Sequence, residues 1–74
     1  MTKQVDFHGV TFDELPKKLD TIMHESIKSG YDEIELITGR GSLQEELMDL
    51  CIQRYECSVR VKIGNAGVLV VSLI

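Results

Sequence analysis

The chain has 74 residues, of which 43% are hydrophobic and 27% are charged. That length and composition fit one soluble globular domain over residues 1–74 and leave no material for a second core. The formal net charge of -4 argues against a protein that binds nucleic acid through bulk electrostatic attraction, because each phosphate contact needs a nearby cation. Any contact with nucleic acid must therefore come from a few local cations.

The sequence also argues against disulfide bonds, export and membrane insertion. Cys51 and Cys57 are too few and too irregularly spaced for a disulfide framework or a zinc site, so we expect two reduced thiols. The longest apolar run, Val68–Val71, is far shorter than the ~20 residues that span a bilayer. We therefore expect a cytoplasmic protein with no membrane contact and no metal held by these cysteines.

The first predicted elements are a strand and a long helix. Val5 and Phe7 alternate with polar residues, which is the period of a strand with one buried face. Apolar side chains then recur at helical spacing, and Gly30 supplies a left-handed stop. The pattern predicts strand one around Val5 and Phe7 and helix one over residues 12–29.

The sequence leaves the start of helix one open. Thr11 and Glu14 have the spacing of a capping box, in which each side chain bonds the backbone amide of the other residue. A cap at Thr11 makes Pro16 the fifth helical residue and loses a helical hydrogen bond, because proline has no amide hydrogen. A cap at Asp13 places Pro16 third, where no bond is lost.

The second half of the chain predicts a strand, a helix and a hairpin. Residues 33–37 alternate again and predict strand two, and the apolar residues of 43–51 take up helical spacing. Residues 57–63 alternate, residues 64–67 are typical of a turn, and residues 68–74 are apolar on both faces except at one serine. The last two strands should therefore form a hairpin.

This βαβαββ order predicts a two-layer α/β sandwich, with a four-stranded mixed sheet and both helices on one face. Right-handed crossovers place strands one and two parallel. Strand four should be central because both its faces are apolar, whereas Arg60 and Lys62 mark strand three as an edge, which favours the order 1-2-4-3. An exposed patch of Val68, Val70 and Ile74 on strand four would also predict a homodimer.

Two corners between a strand and a helix carry the candidate chemistry, and Asp6 and His8 lie at the first. Ligands of parallel α/β sheets collect at such corners, beside the positive ends of the following helices. Two residues apart on a strand, Asp6 and His8 should share a face, where the carboxylate can orient the imidazole for proton transfer near neutral pH. The alternative is that both residues simply face solvent on an open sheet.

The second corner is Thr38–Gly41, with the sequence Thr-Gly-Arg-Gly. Its glycines allow positive φ angles and close approach of a ligand, and Arg40 adds a forked cation that suits phosphate oxygens. We expect Thr38 to order the turn, Ser42 to cap helix two, and the amides of residues 39–42 to hold an anion. The alternative is a tight turn with no ligand.

In this order the motifs resemble those of the Smr domain, a small domain of MutS-related proteins that is also found alone or fused to RNA-binding repeats. Its members show a strand ending in Leu-Asp-Leu-His-Gly, a Thr-Gly-x-Gly turn before the second helix, and a glycine-containing loop before a final apolar strand. Residues 5–9 resemble the first motif, Thr38–Gly41 match the second and residues 64–68 resemble the third. The resemblance covers essentially the whole chain.

The resemblance implies a fold similar to the C-terminal domain of translation initiation factor 3. It implies an endonuclease that nicks DNA or cleaves RNA, with RNA slightly favoured, and the ribosome or another protein as a further partner. Asp6 and His8 would be its catalytic pair, and Gly67 would contact the substrate. The phosphate would bind the second motif, at Thr38, Gly39, Arg40 and Gly41, beside Ser42.

Two features favour an alternative function, a non-catalytic Smr-fold module that binds RNA or a protein partner. The chain is acidic, which leaves Arg40, Arg60 and Lys62 as the local cations for a substrate. The stretch that joins the last strands is also shorter than in many members. RNA cleavage would need no cofactor, since the 2′-hydroxyl is a built-in nucleophile, whereas on DNA a divalent cation near Asp6 is expected.

Overall fold

A computed structural model describes residues 2–73, which form a four-stranded sheet and two helices. In chain order these are β1 (Thr2–Asp6), α1 (Leu15–Lys28), β2 (Glu33–Ile37), α2 (Ser42–Tyr55), β3 (Ser58–Lys62) and β4 (Asn65–Ser72). The strand order is β1-β2-β4-β3. The predicted α/β class, element order and strand order are confirmed. Neither helix of the described residues has the length and apolar character that crossing a bilayer needs.

The sheet is mixed, and its strand directions decide where the corners lie. β1 and β2 pair in parallel, with Val5 opposite Leu36. β4 runs antiparallel to both of its neighbours, β2 and β3. One edge of the sheet therefore collects the carboxyl ends of β1, β2 and β3 together with the start of β4.

The core lies between the sheet and the helices. Ile34 and Leu36 of β2 are fully buried, as are their partners Val71 and Leu69 on β4. The helices contribute buried residues to the same cluster: Leu15, Leu19, Met23, Leu47 and Cys51. Both helices therefore cover one face of the sheet, as right-handed crossovers require.

The first helix starts later than predicted, at Leu15 rather than residue 12. The capping-box bonds are present: Thr11 Oγ1 donates to Glu14 Oε1 at 2.8 Å, and the Glu14 amide donates to Thr11 Oγ1 at 3.3 Å. They close a turn ahead of the helix instead of its first turn. Glu14 is the N-cap residue, so Pro16 falls in the first helical turn, where its missing amide costs no bond.

The predicted hairpin of β3 and β4 is present, but its turn is shorter than predicted. The prediction of a turn over residues 64–67 is wrong, because β4 already begins at Asn65. Gly64 makes the reversal with a φ of 85°, a conformation that favours glycine. Gly67 is consequently a strand residue.

The sheet face opposite the helices is not the exposed apolar patch that would join two copies. Val68 and Val70 are each only 4% exposed. Val70 lies in the central strand between Glu35 and Arg60, whose long side chains can cover it. The predicted patch is therefore absent at these valines, and its third member, Ile74, lies outside the described residues.

Candidate functional site

The two corners are neighbours at one edge of the sheet. Asp6, the last residue of β1, lies opposite Ile37, the last residue of β2. Just beyond them the Phe7 amide donates to Ile37 O at 2.8 Å. Phe7 is fully buried, so the core anchors this junction. His8 and Thr38 therefore leave the sheet from adjacent strands.

His8 lies in a tight turn and not in the strand. The Val10 amide donates to Phe7 O at 3.1 Å, which closes a β-turn, and Gly9 at its third position has a φ of 82°. Asp6 Oδ1 accepts a hydrogen bond from the backbone amide of His8 at 2.7 Å. The prediction that both side chains share a strand face is wrong, because β1 ends at Asp6. The carboxylate fixes the backbone that carries the exposed imidazole.

Lys18 supports this first corner and was not among the predicted site residues. Its Nζ donates to Asp6 O at 2.6 Å and lies 4.6 Å from the centroid of the Phe7 ring. The two contacts are a charge-assisted hydrogen bond and a cation–π interaction, and they tie the start of α1 to the end of β1. The sequence signal was weak, since Lys18 is simply a lysine beside the buried Leu19.

The second corner is bonded to the start of β4. The amides of Thr38 and Gly39 both donate to Gly67 O, at 2.9 and 3.0 Å. Thr38 is buried, and its hydroxyl donates to Gly39 O at 2.7 Å, so it orders the turn. A phosphate contact by these two residues stays a prediction, but the Gly39 amide predicted to make one already has an acceptor inside the protein.

Gln44 links the same segments from the first turns of α2. Its Nε2 donates to Ala66 O at 2.7 Å and to Thr38 Oγ1 at 3.4 Å. One half-buried side chain thus holds the loop after β2 against the start of β4. Sequence reasoning missed Gln44, because a glutamine near a helix start carries no motif of its own.

Gly67 lies against the second corner. A methyl group at this position would lie 3.3 Å from Gly39 Cα, which is closer than an ordinary van der Waals contact. The Gly67 amide donates to Asn65 Oδ1 at 3.2 Å, and its carbonyl receives the two loop amides described above. Substrate contact by Gly67 stays a prediction, whereas its part in shaping the loop is direct.

Arg40 and the first amides of α2 remain for a ligand. Gly41 is the N-cap residue, with a φ of 113°, and among residues 2–73 no side chain caps the helix. The prediction that Ser42 caps α2 is wrong, because Ser42 is already helical. The first amides of a helix lack intrahelical acceptors and carry partial positive charge. Together with the exposed Arg40 they form a surface suited to one anion.

The other two predicted cations lie on β3. Lys62 Nζ bonds Glu35 Oε1 at 3.0 Å, and Gln4 Nε2 donates to the same oxygen at 2.9 Å. The hydrogen bond from Gln4 and then that from Lys62 lower the pKa of Glu35, while its burial acts in the opposite direction. Arg60 lies opposite Val70 in the β3–β4 register, on the same face of the sheet as Lys62. Substrate contacts by Arg60 and Lys62 stay predictions, and Lys62 already has an acidic partner.

Burial raises the pKa of Cys51 to about 12 and also raises that of Cys57, so neither thiol favours the reactive thiolate. Within residues 2–73 no group of three or more His, Cys, Asp or Glu side chains could hold a metal ion. A divalent cation near Asp6 with a DNA substrate stays a prediction.

Comparison with known proteins decides the family. The family model described as the Smr domain matches residues 5–74. This chain belongs to the Smr domain family. The Smr domain of Thermus thermophilus MutS2, known from a crystal structure, is similar to it with a TM-score of 0.84 and 25% identity, over 95% of each chain. No curated protein sequence matches.

The Smr domain family is linked to nuclease activity or nucleic-acid binding. In this Smr domain the three sequence motifs meet at one edge of the sheet. The Phe7 amide bonds Ile37 O between the first and second motifs, and the Gly39 amide bonds Gly67 O between the second and third. The expected likeness to translation initiation factor 3 stays a prediction.

Proposed function

We propose that this Smr domain is an endonuclease that cleaves phosphodiester bonds, with RNA the favoured substrate. The observation that carries the proposal is the adjacency of the two corners, joined by the 2.8 Å bond from the Phe7 amide to Ile37 O. Adjacent corners bring the exposed imidazole of His8 to the same sheet edge as the exposed guanidinium of Arg40. One phosphodiester group would contact both.

In this mechanism the scissile phosphate binds at the start of α2. Amides of residues 40–43 donate to its oxygens and Arg40 neutralises its charge. His8 removes the proton of the adjacent 2′-hydroxyl, whose oxygen attacks phosphorus. The bond from phosphorus to the 5′-oxygen breaks, which leaves a cyclic phosphate and a 5′-hydroxyl protonated by solvent.

Asp6 acts as a positioning residue. Its carboxylate accepts the backbone amide of His8 at 2.7 Å, and its own carbonyl accepts the ammonium of Lys18 at 2.6 Å. These bonds hold the turn from which the imidazole projects. The variant Asp6→Asn keeps an acceptor oxygen, so it should retain more activity than Asp6→Ala.

The test is cleavage of a labelled single-stranded RNA by matched histidine variants. His8→Ala should lower the rate at least ~100-fold, the usual contribution of a general base. His24→Ala is the control, because His24 is exposed on α1 and away from the corners. Equal rates for the wild type and His8→Ala, with or without a chelator, would contradict the proposal.

A non-catalytic binding module is the second candidate. It is favoured by the net charge of -4 and by Asp6, whose carboxylate holds a backbone amide and not the imidazole ring. Its partner would be RNA, the ribosome or another protein. Arg40→Ala would then weaken RNA binding while His8→Ala would not, and Arg54→Ala, an exposed arginine at the end of α2, is the matched control.

A further inference from the structure

Among residues 2–73, one aromatic ring is exposed next to the candidate site. Phe7 is fully buried and Tyr31 and Tyr55 are half-buried, whereas Phe12 is 54% exposed. Phe12 follows the first corner and precedes α1, so it lies at the edge of the sheet where the carboxyl ends of β1 and β2 meet. Neither the corner chemistry nor the core uses this side chain.

Phe12 is carried by a closed turn. The Glu14 amide donates to Thr11 O at 3.1 Å, which makes Phe12 the second residue of a β-turn. The bond from Thr11 Oγ1 to Glu14 Oε1, at 2.8 Å, closes the same turn through side chains. The backbone that presents the ring is thus ordered before any ligand binds, so little backbone conformational entropy is lost when the ring is covered.

The charges around the ring favour contact with a base over contact with a phosphate. Asp13 follows Phe12 in the turn and Glu14 closes it, so the turn itself carries two carboxylates. A nucleotide backbone is repelled there, whereas a flat nucleobase has no net charge and gains from stacking on an aromatic ring. The phosphate-binding groups lie on the neighbouring corner, at Arg40 and the start of α2.

We propose that Phe12 stacks on a nucleobase of a single-stranded substrate while the neighbouring phosphate binds at Arg40. This inference rests on the proposed function, because it uses the phosphate site at the second corner. Single strands, loops and bulges expose base faces to such a ring, whereas a duplex keeps them stacked. Phe12 thereby selects unpaired over paired nucleic acid.

The chain contains no tryptophan, which allows a direct optical test. Phe12→Trp keeps a stacking ring and places the only indole of the protein at the proposed contact. A single-stranded 2′-O-methyl oligoribonucleotide is the probe, because it lacks the free 2′-hydroxyl and is not cleaved by that route. Its addition should quench the fluorescence in a saturable way. Ile27→Trp, at a 58% exposed position near the end of α1, is the control and should not respond.

Affinity measurements with the same probe complete the test. Phe12→Ala should weaken binding on the order of ten-fold, as loss of one stacked base does, while Phe12→Trp binds at least as tightly as the wild type. An abasic strand of equal length should bind the wild type and Phe12→Ala equally weakly. Thermal unfolding should confirm that both Phe12 variants are folded, as expected at an exposed position.

The outcomes separate this inference from the proposed function. If Arg40→Ala weakens binding of both strands while Phe12→Ala has no effect, the phosphate site holds and stacking is overturned. If Phe12→Ala weakens binding of the base-containing strand and Arg40→Ala changes nothing, the ring contact holds without the phosphate site. If the wild type binds neither strand, or binds the abasic strand equally well, stacking is overturned.

Discussion

The Gly39 amide donates to Gly67 O at 3.0 Å, and the Gly39 Cα lies where a methyl group on residue 67 would approach it to 3.3 Å. The second and third motifs are therefore in direct backbone contact. The loop that presents Arg40 takes its shape from β4 as well as from β2. A substitution at Gly67 should therefore displace the loop that carries Arg40 and alter the phosphate site.

We expect Gly67→Ala to destabilise the fold by about 1–3 kcal/mol, because the added methyl must push a backbone atom rather than a flexible side chain. RNA cleavage should fall as well, since the displaced residue leads directly into Arg40. Urea unfolding and the cleavage rate measure the two effects. An unchanged free energy of unfolding together with unchanged cleavage would show that the loop does not depend on this contact.

Gln44→Ala should lower the free energy of unfolding by about 1 kcal/mol, because it leaves the Ala66 carbonyl without its 2.7 Å donor. Gln44→Glu should lower the free energy of unfolding further at neutral pH, since a carboxylate would face that carbonyl. Gln53→Ala, at an exposed position of the same helix, is the matched control and should be near neutral. If the Gln44 and Gln53 variants unfold at the same urea concentration, Gln44 does not hold the loop.

The chain order of elements and the order of strands were predictable, whereas most contacts at the site were not. Both faces of β4 are apolar, which predicted its central position, and Arg60 and Lys62 predicted β3 as an edge strand. The bond from Lys18 to Asp6 O and the bonds from Gln44 depend on which turn of each helix lies beside which loop. That relative position cannot be predicted from a single sequence. The predicted start of α1 was wrong for a different reason. The bonds between Thr11 and Glu14 fit the first turn of a helix and an isolated turn equally well.

Glu35 should make stability depend on pH. Its pKa in the folded protein is lowered below the ordinary value of 4.5 by Gln4 and Lys62, so the folded state favours the carboxylate. The resulting stabilisation is complete above that ordinary value and is lost as the pH falls through the lowered one. Glu35→Gln should flatten the loss of stability below about pH 5, while Asp49→Asn, an exposed control on α2, should not. If the free energies of unfolding of the wild type and Glu35→Gln change with pH in parallel, Glu35 is not the source of this pH dependence.

The two thiols should differ in reactivity. Cys51 is fully buried, and burial raises its pKa to about 12; Cys57 is only partly buried. A disulfide reagent at pH 8 should modify Cys57 first and Cys51 only as fast as the protein opens. Cys57→Ser should abolish the faster phase and Cys51→Ser the slower one. Rapid modification of Cys51 in the folded protein would place it outside the core.

If the two corners bind one phosphate, both should respond together in an NMR titration with a non-cleavable 2′-deoxy dinucleotide. The His8 ring and the Ser42 amide should shift together with a single Kd, and the His24 ring should stay unchanged. Arg40→Ala should raise that Kd for both signals. Movement of only one of the two signals, or two different Kd values, would contradict the shared site.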